Sequence, residues 1–193
     1  GTDDLKIHQG VIKMVYATLT DEMVKMLSDL KGSEFISYEC EKAFNQAYGY
    51  LRINAGAGSV EVTNLLEVMP YFGTVEEIAR FACIKSDPLE EFEPNLIASF
   101  KKYEVNSKIT GIDIVSDEIN VNNGEYEIKF DQAIIIRTEK GVIMFAKEIW
   151  WSEEITICSH DDYNSIYPVS SAEYDLSDYG EDPIEVKRTV RSL

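Results

Sequence analysis

An apolar ribbon across residues 125–158 constrains this fold more than any other part of the chain. Its first stretch alternates Tyr126, Ile128 and Phe130 with Glu125, Glu127 and Lys129, the period of two of a strand with one face in water. At Ala133-Ile134-Ile135-Ile136 both faces turn apolar, so this part of the sheet must be covered on both sides. Glu139-Lys140-Gly141 makes a short connection in which the glycine supplies positive φ. Val142-Ile143-Met144-Phe145-Ala146 then returns, and the pattern carries this strand on through Ile149-Trp150-Trp151. Adjacent residues of a strand point to opposite faces. One Trp therefore belongs to the core, and the other calls for a covering helix, a partner subunit or a ligand. A short strand, Ile155-Thr156-Ile157-Cys158, follows a turn at Ser152-Glu153-Glu154. The segment predicts two or three antiparallel strands at the centre of a sheet.

The flanking sequence supplies the rest of the architecture. Ile7, Val11, Val15 and Leu19 recur every four residues and predict an N-terminal helix, with a strand over 11–15 as the competing reading. Thr20 caps a further helical stretch with Met23, Met26, Leu27 and Leu30 on its inner face. Strands are predicted at 35–40 and 48–53. Between them and the next strand, Asn54-Ala55-Gly56-Ala57-Gly58-Ser59 reads as a hairpin turn rather than a phosphate loop, because strands flank it and no Lys-Ser/Thr follows. Thr74 and Glu77 fit a capping box and predict a helix over 74–85, a strand being the alternative. Residues 95–103 predict another helix, ending on Lys101-Lys102. Strands at 109–115 and 118–121 lead into Asn122-Asn123-Gly124, a tight-turn signal. Ile184-Glu185-Val186 adds an edge strand whose Lys187, Arg188 and Arg191 suit solvent. The fold class is α+β: a mostly antiparallel β-sheet with an N-terminal helix and one or two helices in the middle of the chain. Residues 1–193 form one domain, with a loosely packed acidic segment at 159–183.

The charge narrows the partners. Thirty-five acids against 18 Lys and Arg give a net charge of −17, with no basic run to meet phosphates, which argues against direct nucleic-acid binding. No apolar run reaches the roughly 20 residues of a spanning helix. Three cysteines, Cys40, Cys83 and Cys158, form no close pair, which fits a reducing, cytoplasmic setting and supplies neither a disulfide framework nor a zinc motif. No cofactor fingerprint is present.

The candidate binding residues are Trp150, Trp151, Glu153, Glu154, Tyr174, Asp175, Asp178 and Tyr179, an aromatic pair and a tyrosine-bearing acidic stretch of the kind that meets protein surfaces. They point to a non-catalytic interaction domain contacting a protein partner or a second copy of itself. An alternative is an immunity- or inhibitor-type protein in which Asp175, Asp178, Glu181 and Asp182 block a basic nucleic-acid-acting enzyme. A third reading is a hydrolase. Cys158 and His160 would share a face if their strand continued, and Glu148, Glu153 and Glu154 beside the Trp pair could act as paired carboxylates on a sugar.

Overall fold

The computed structural model describes residues 14–71, 74–86, 100–121, 126–177 and 183–193. These residues form a mostly antiparallel, open sheet with two helices. In chain order the elements are β1 (Met14–Ala17), α1 (Asp21–Ser28), β2 (Glu34–Cys40), β3 (Lys42–Ala43), β4 (Gln46–Tyr48), β5 (Tyr50–Ala55), β6 (Gly58–Tyr71) and β7 (Thr74–Ser86). There follow β8 (Lys101–Val121), β9 (Tyr126–Thr138), β10 (Gly141–Ala146), β11 (Glu154–Cys158), a 3-10 turn (Tyr163–Ser165), α2 (Val169–Ser177) and β12 (Ile184–Ser192). The main path runs β3-β4-β11-β10-β9-β8-β2-β5-β6-β7; β1 joins β9 in parallel and β12 joins β8. No helix among the described residues is long and apolar enough to cross a membrane.

The Ile-rich ribbon lies in the interior, as its composition requires. Ile134 and Ile136 enter one core with Phe35, Leu51, Phe81 and Phe145. Ala133 and Ile135 enter a second with Phe130, Trp150, Tyr163 and Tyr167. One register irregularity makes this possible. Val115 pairs with Ala133 but Ser116 with Asp131, leaving Gln132 as the extra residue of a bulge. Ile128 and Phe130 on one side of it, and Ala133 and Ile135 on the other, thereby face the same core. A second irregularity, at Ile109/Gly111, lets Ile109 share the first core with Ile112 and Ile114.

Several helices expected from the sequence are strands. Met14–Ala17 follows a period of two, with Val15 and Ala17 buried and Met14 and Tyr16 exposed. Its ladder to β9 overrides the four-residue recurrence, and residues 1–13 lie outside the described residues. The Thr20 cap is present, its side chain accepting from the Met23 N–H, and α1 lays Leu27, Met23 and Met26 on the first core.

The expected helix over 74–85 is also a strand, paired with β6 from Ser59↔Ser86 to Tyr71↔Thr74. The segment must serve two cores at once: Phe81 and Cys83 point into the first and Ile78 into the second. An alternating strand does that, and a helix with one buried stripe does not. Residues 101–103, expected to end another helix, start β8, while 87–99 lie outside the described residues. Expected strands at 109–115 and 118–121 are parts of that same strand. The turn at 122–124 also lies outside, although Val121↔Tyr126 pairing brackets it. Helix α2, unforeseen in the sequence, packs Ala172 into the second core.

Candidate functional site

The Trp pair does not sit on a strand. β10 ends at Ala146, and residues 147–152 turn before β11, so the two rings do not project from opposite faces of a sheet. Trp150 is 2% exposed and packs on Phe130 with ring centroids 5.3 Å apart. Trp151 is 39% exposed and stands edge-on to Trp150 at 5.0 Å and 90°. The loop is pinned to β6: Asn64 Nδ2 donates to the Ser152 carbonyl at 2.8 Å, and the Leu66 N–H donates to Glu153 Oε1 at 3.1 Å.

The carboxylates around the Trp pair part company. Glu153 is turned to the Leu66 amide, and Glu154 opens β11 opposite Tyr48. Glu148 instead lines an open groove of about 570 Å³ together with Tyr167, Tyr174 and Asp175. Asp175 accepts from Tyr167 Oη at 2.7 Å. Asp178, Tyr179, Glu181 and Asp182 lie outside the described residues.

Cys158 and His160 do not share a strand face, because β11 stops at Cys158. The Cys158 thiol meets the His160 carbonyl at 3.9 Å, while the imidazole Nδ1 accepts from the Asp162 N–H at 3.3 Å. Burial raises the thiol's pKa, which disfavours the thiolate a nucleophile needs. Among the described residues no three His, Cys, Asp or Glu side chains are placed to hold a metal ion.

Sequence reasoning missed a buried polar cluster at the Gln132 bulge. Asp131 is fully buried and accepts from the Leu19 N–H at 2.7 Å and from Ser116 Oγ at 2.6 Å. Asp117, also fully buried, holds Arg188 through Nε at 2.7 Å and Nη2 at 2.8 Å, a bidentate pair. Arg188 therefore points inward over the Tyr163 ring, at 4.5 Å, and not into solvent as an edge residue would.

Lys147 is the most unusual member. It is wholly buried, donates to the Ala79 carbonyl at 2.6 Å and lies 4.9 Å from the Phe81 ring centroid. Burial pushes its ammonium down to about 7, with nearby Asp131 opposing that fall and Arg80 adding to it. Its own carbonyl accepts from Tyr163 Oη at 2.7 Å and its N–H donates to the Gln132 carbonyl at 2.9 Å. Lys147 lines none of the described grooves, so its amine serves as a tie between β7 and the segment after β10. No local pattern betrays a lysine of this kind, because Lys147 lies within an apolar run that reads as continuous strand through Trp151.

No protein-family model, curated protein sequence or solved structure matches the chain. The geometry alone therefore bears on function.

Proposed function

We propose that this chain is a non-catalytic contact domain that docks onto a protein surface, a second copy of itself being the partner this reading puts to the test. One observation carries it: β6 runs past the end of the core it helps to build. Val60 and Val62 point into the first core. The strand keeps its register with β7, so Leu66 and Val68 continue the same face, where they are 42% and 63% exposed. Leu65, 52% exposed, points from the other face of β6, and the Trp151 loop is bonded to the strand at Asn64 and Leu66. Apolar side chains left uncovered where a strand outruns its core mark a candidate interaction site.

The edge itself is partly guarded. Asn64 and Leu66 point their N–H groups away from β7, to the Gly49 carbonyl and the Glu153 carboxylate, and Val68 follows by the period of two. Pro70, next in that row, has no N–H to offer. Contact by side chains, with little strand addition, suits such an edge.

Light scattering from roughly 10 μM to 1 mM spans the range in which a weak interface populates. The mass of the native chain should rise with concentration, and more so at high salt, because two surfaces of net charge −17 repel. A Leu66→Glu/Val68→Glu variant should stay monomeric. A native chain that is monomeric throughout, at low and high salt, overturns self-association.

The groove of Glu148, Tyr174 and Asp175 favours a second reading, a basic partner held on an acidic face in the manner of an inhibitor. Retention of an oligolysine peptide should then fall with salt and fall again in Glu148→Lys. Salt-independent retention sinks this reading.

A further inference from the structure

A cleft opens where the two halves of the sheet part. β2 and the first residues of β8 form one wall, β10 and β11 the other, and Lys42 of β3 stands at the mouth. Its volume of about 510 Å³ falls within the range of small-molecule sites, roughly 300–1,000 Å³. Tyr38 and Tyr103 stack inside it with ring centroids 5.0 Å apart and planes 20° from parallel. The Lys42 ammonium lies 3.9 Å from the Tyr103 centroid and 5.6 Å from that of Tyr38, and donates to Tyr38 Oη at 3.4 Å.

The charge of this lysine is what sets the cleft apart. In a chain with nearly twice as many acids as bases, Lys42 is half-buried against aromatic rings and no carboxylate among the described residues pairs with it. Lys102 borders the cleft through its place on β8, but its side chain lies on the other face, across from Glu39, so Lys42 is the cation that the cleft presents. Glu104 is the acid on the rim, and its Oε2 accepts from Asn106 Nδ2 at 3.3 Å. A partly desolvated cation without a counter-ion, above a ring pair and beside Ile143, offers one charged contact and one flat apolar contact a few ångströms apart.

We propose that this cleft binds a small organic anion, its carboxylate or phosphate on Lys42 and its apolar or aromatic body against Tyr103, Tyr38 and Ile143. The anion supplies the counter-charge that the protein withholds. The ring stack supplies a rigid platform at little entropic cost.

The probes are phenyl phosphate, benzoate and inorganic phosphate, with benzylamine as the cationic counterpart. Amide NMR shifts at 102–104 and 157–159 report binding. Phenyl phosphate or benzoate should shift these amides saturably at concentrations up to about 10 mM. The stronger of the two identifies the head group, and inorganic phosphate should bind more weakly for lack of a ring. Lys42→Gln should weaken binding about tenfold, and Lys42→Arg should restore most of it. No saturable shift with either ring-bearing anion overturns the proposal. So does equal affinity in Lys42→Gln with its spectrum otherwise native, or benzylamine binding as well as the anions.

Discussion

Replacing Lys147 by Met tests the reading of the buried cluster most sharply. The amine is fully enclosed and keeps one hydrogen bond, to Ala79, and one ring face, Phe81. Its pKa falls from 10.5 to about 7 on folding. At about 1.4 kcal/mol per pH unit this is a folding penalty on the order of 5 kcal/mol. The sign follows from proton counting. Between about 7 and 10.5 the unfolded chain carries a proton on Lys147 that the folded chain has shed, so stability rises with pH across this window. It is free of the penalty above 10.5, loses ground as pH falls, and bears the whole penalty below about 7. Lys147→Met removes the penalty but leaves the Ala79 carbonyl without its donor, a loss of about 1–3 kcal/mol.

The variant should therefore be more stable than the native chain by roughly 3 kcal/mol at pH 6 and less stable by roughly 2 kcal/mol at pH 10.5. Urea unfolding followed by Trp fluorescence, at half-unit steps from pH 6 to 10.5, gives the difference directly, and ionisations common to both proteins cancel. A difference that stays flat across that range would refute the account, because it would mean that Lys147 keeps its charge and a water path when folded.

Three further outcomes are expected. Asp117→Asn removes the charge partner of the Arg188 guanidinium, 7% exposed and left donating to the neutral Asn164 and Tyr167 oxygens, and should cost about 3–5 kcal/mol in urea unfolding; a loss under about 1 kcal/mol would place that ion pair in water. Gly49→Ala should destabilise more than Gly32→Ala: both glycines have positive φ, but a Cβ at Gly49 would press on the Asn64 carbonyl at 3.2 Å, while none is crowded at Gly32. Acrylamide should quench Trp151 and spare Trp150, so Trp151→Phe should abolish most of the quenchable emission, and persistence of that emission would put Trp150 at the surface.

Much of the sheet was legible because its signals are local and periodic. Ile134 to Ile136 announce two covered faces, and the turns after Ala55 and Thr138 lie where their glycines suggest. The errors arose where distant pairing decided the outcome. Thr74 and Glu77 satisfy a helical cap on paper, but the ladder with β6 carries Ile78 and Phe81 to different cores. Val15 looked helical for the same reason: nothing nearby in the chain tells of β9. At the candidate site the apolar run implies one core ring and one uncovered ring, and Trp150 and Trp151 are these, but on a turn, since the strand ends earlier than its apolar run. Lys42, Tyr38, Tyr103 and Ile143 come from four different strands, so no spacing in the sequence could have assembled them.

The unpaired Gln132 has a consequence for how this chain can change length. Upstream, even-numbered Ile128 and Phe130 look inward; downstream, odd-numbered Ala133 and Ile135 do. One residue switches the parity between them. Deleting it would turn a whole half of the ribbon inside out, presenting Ile128 and Phe130 to water and driving Glu127 and Lys129 into hydrocarbon. Gains and losses of residues in this ribbon are therefore tolerable at the 139–140 turn, where they alter only reach, and ruinous a few positions away.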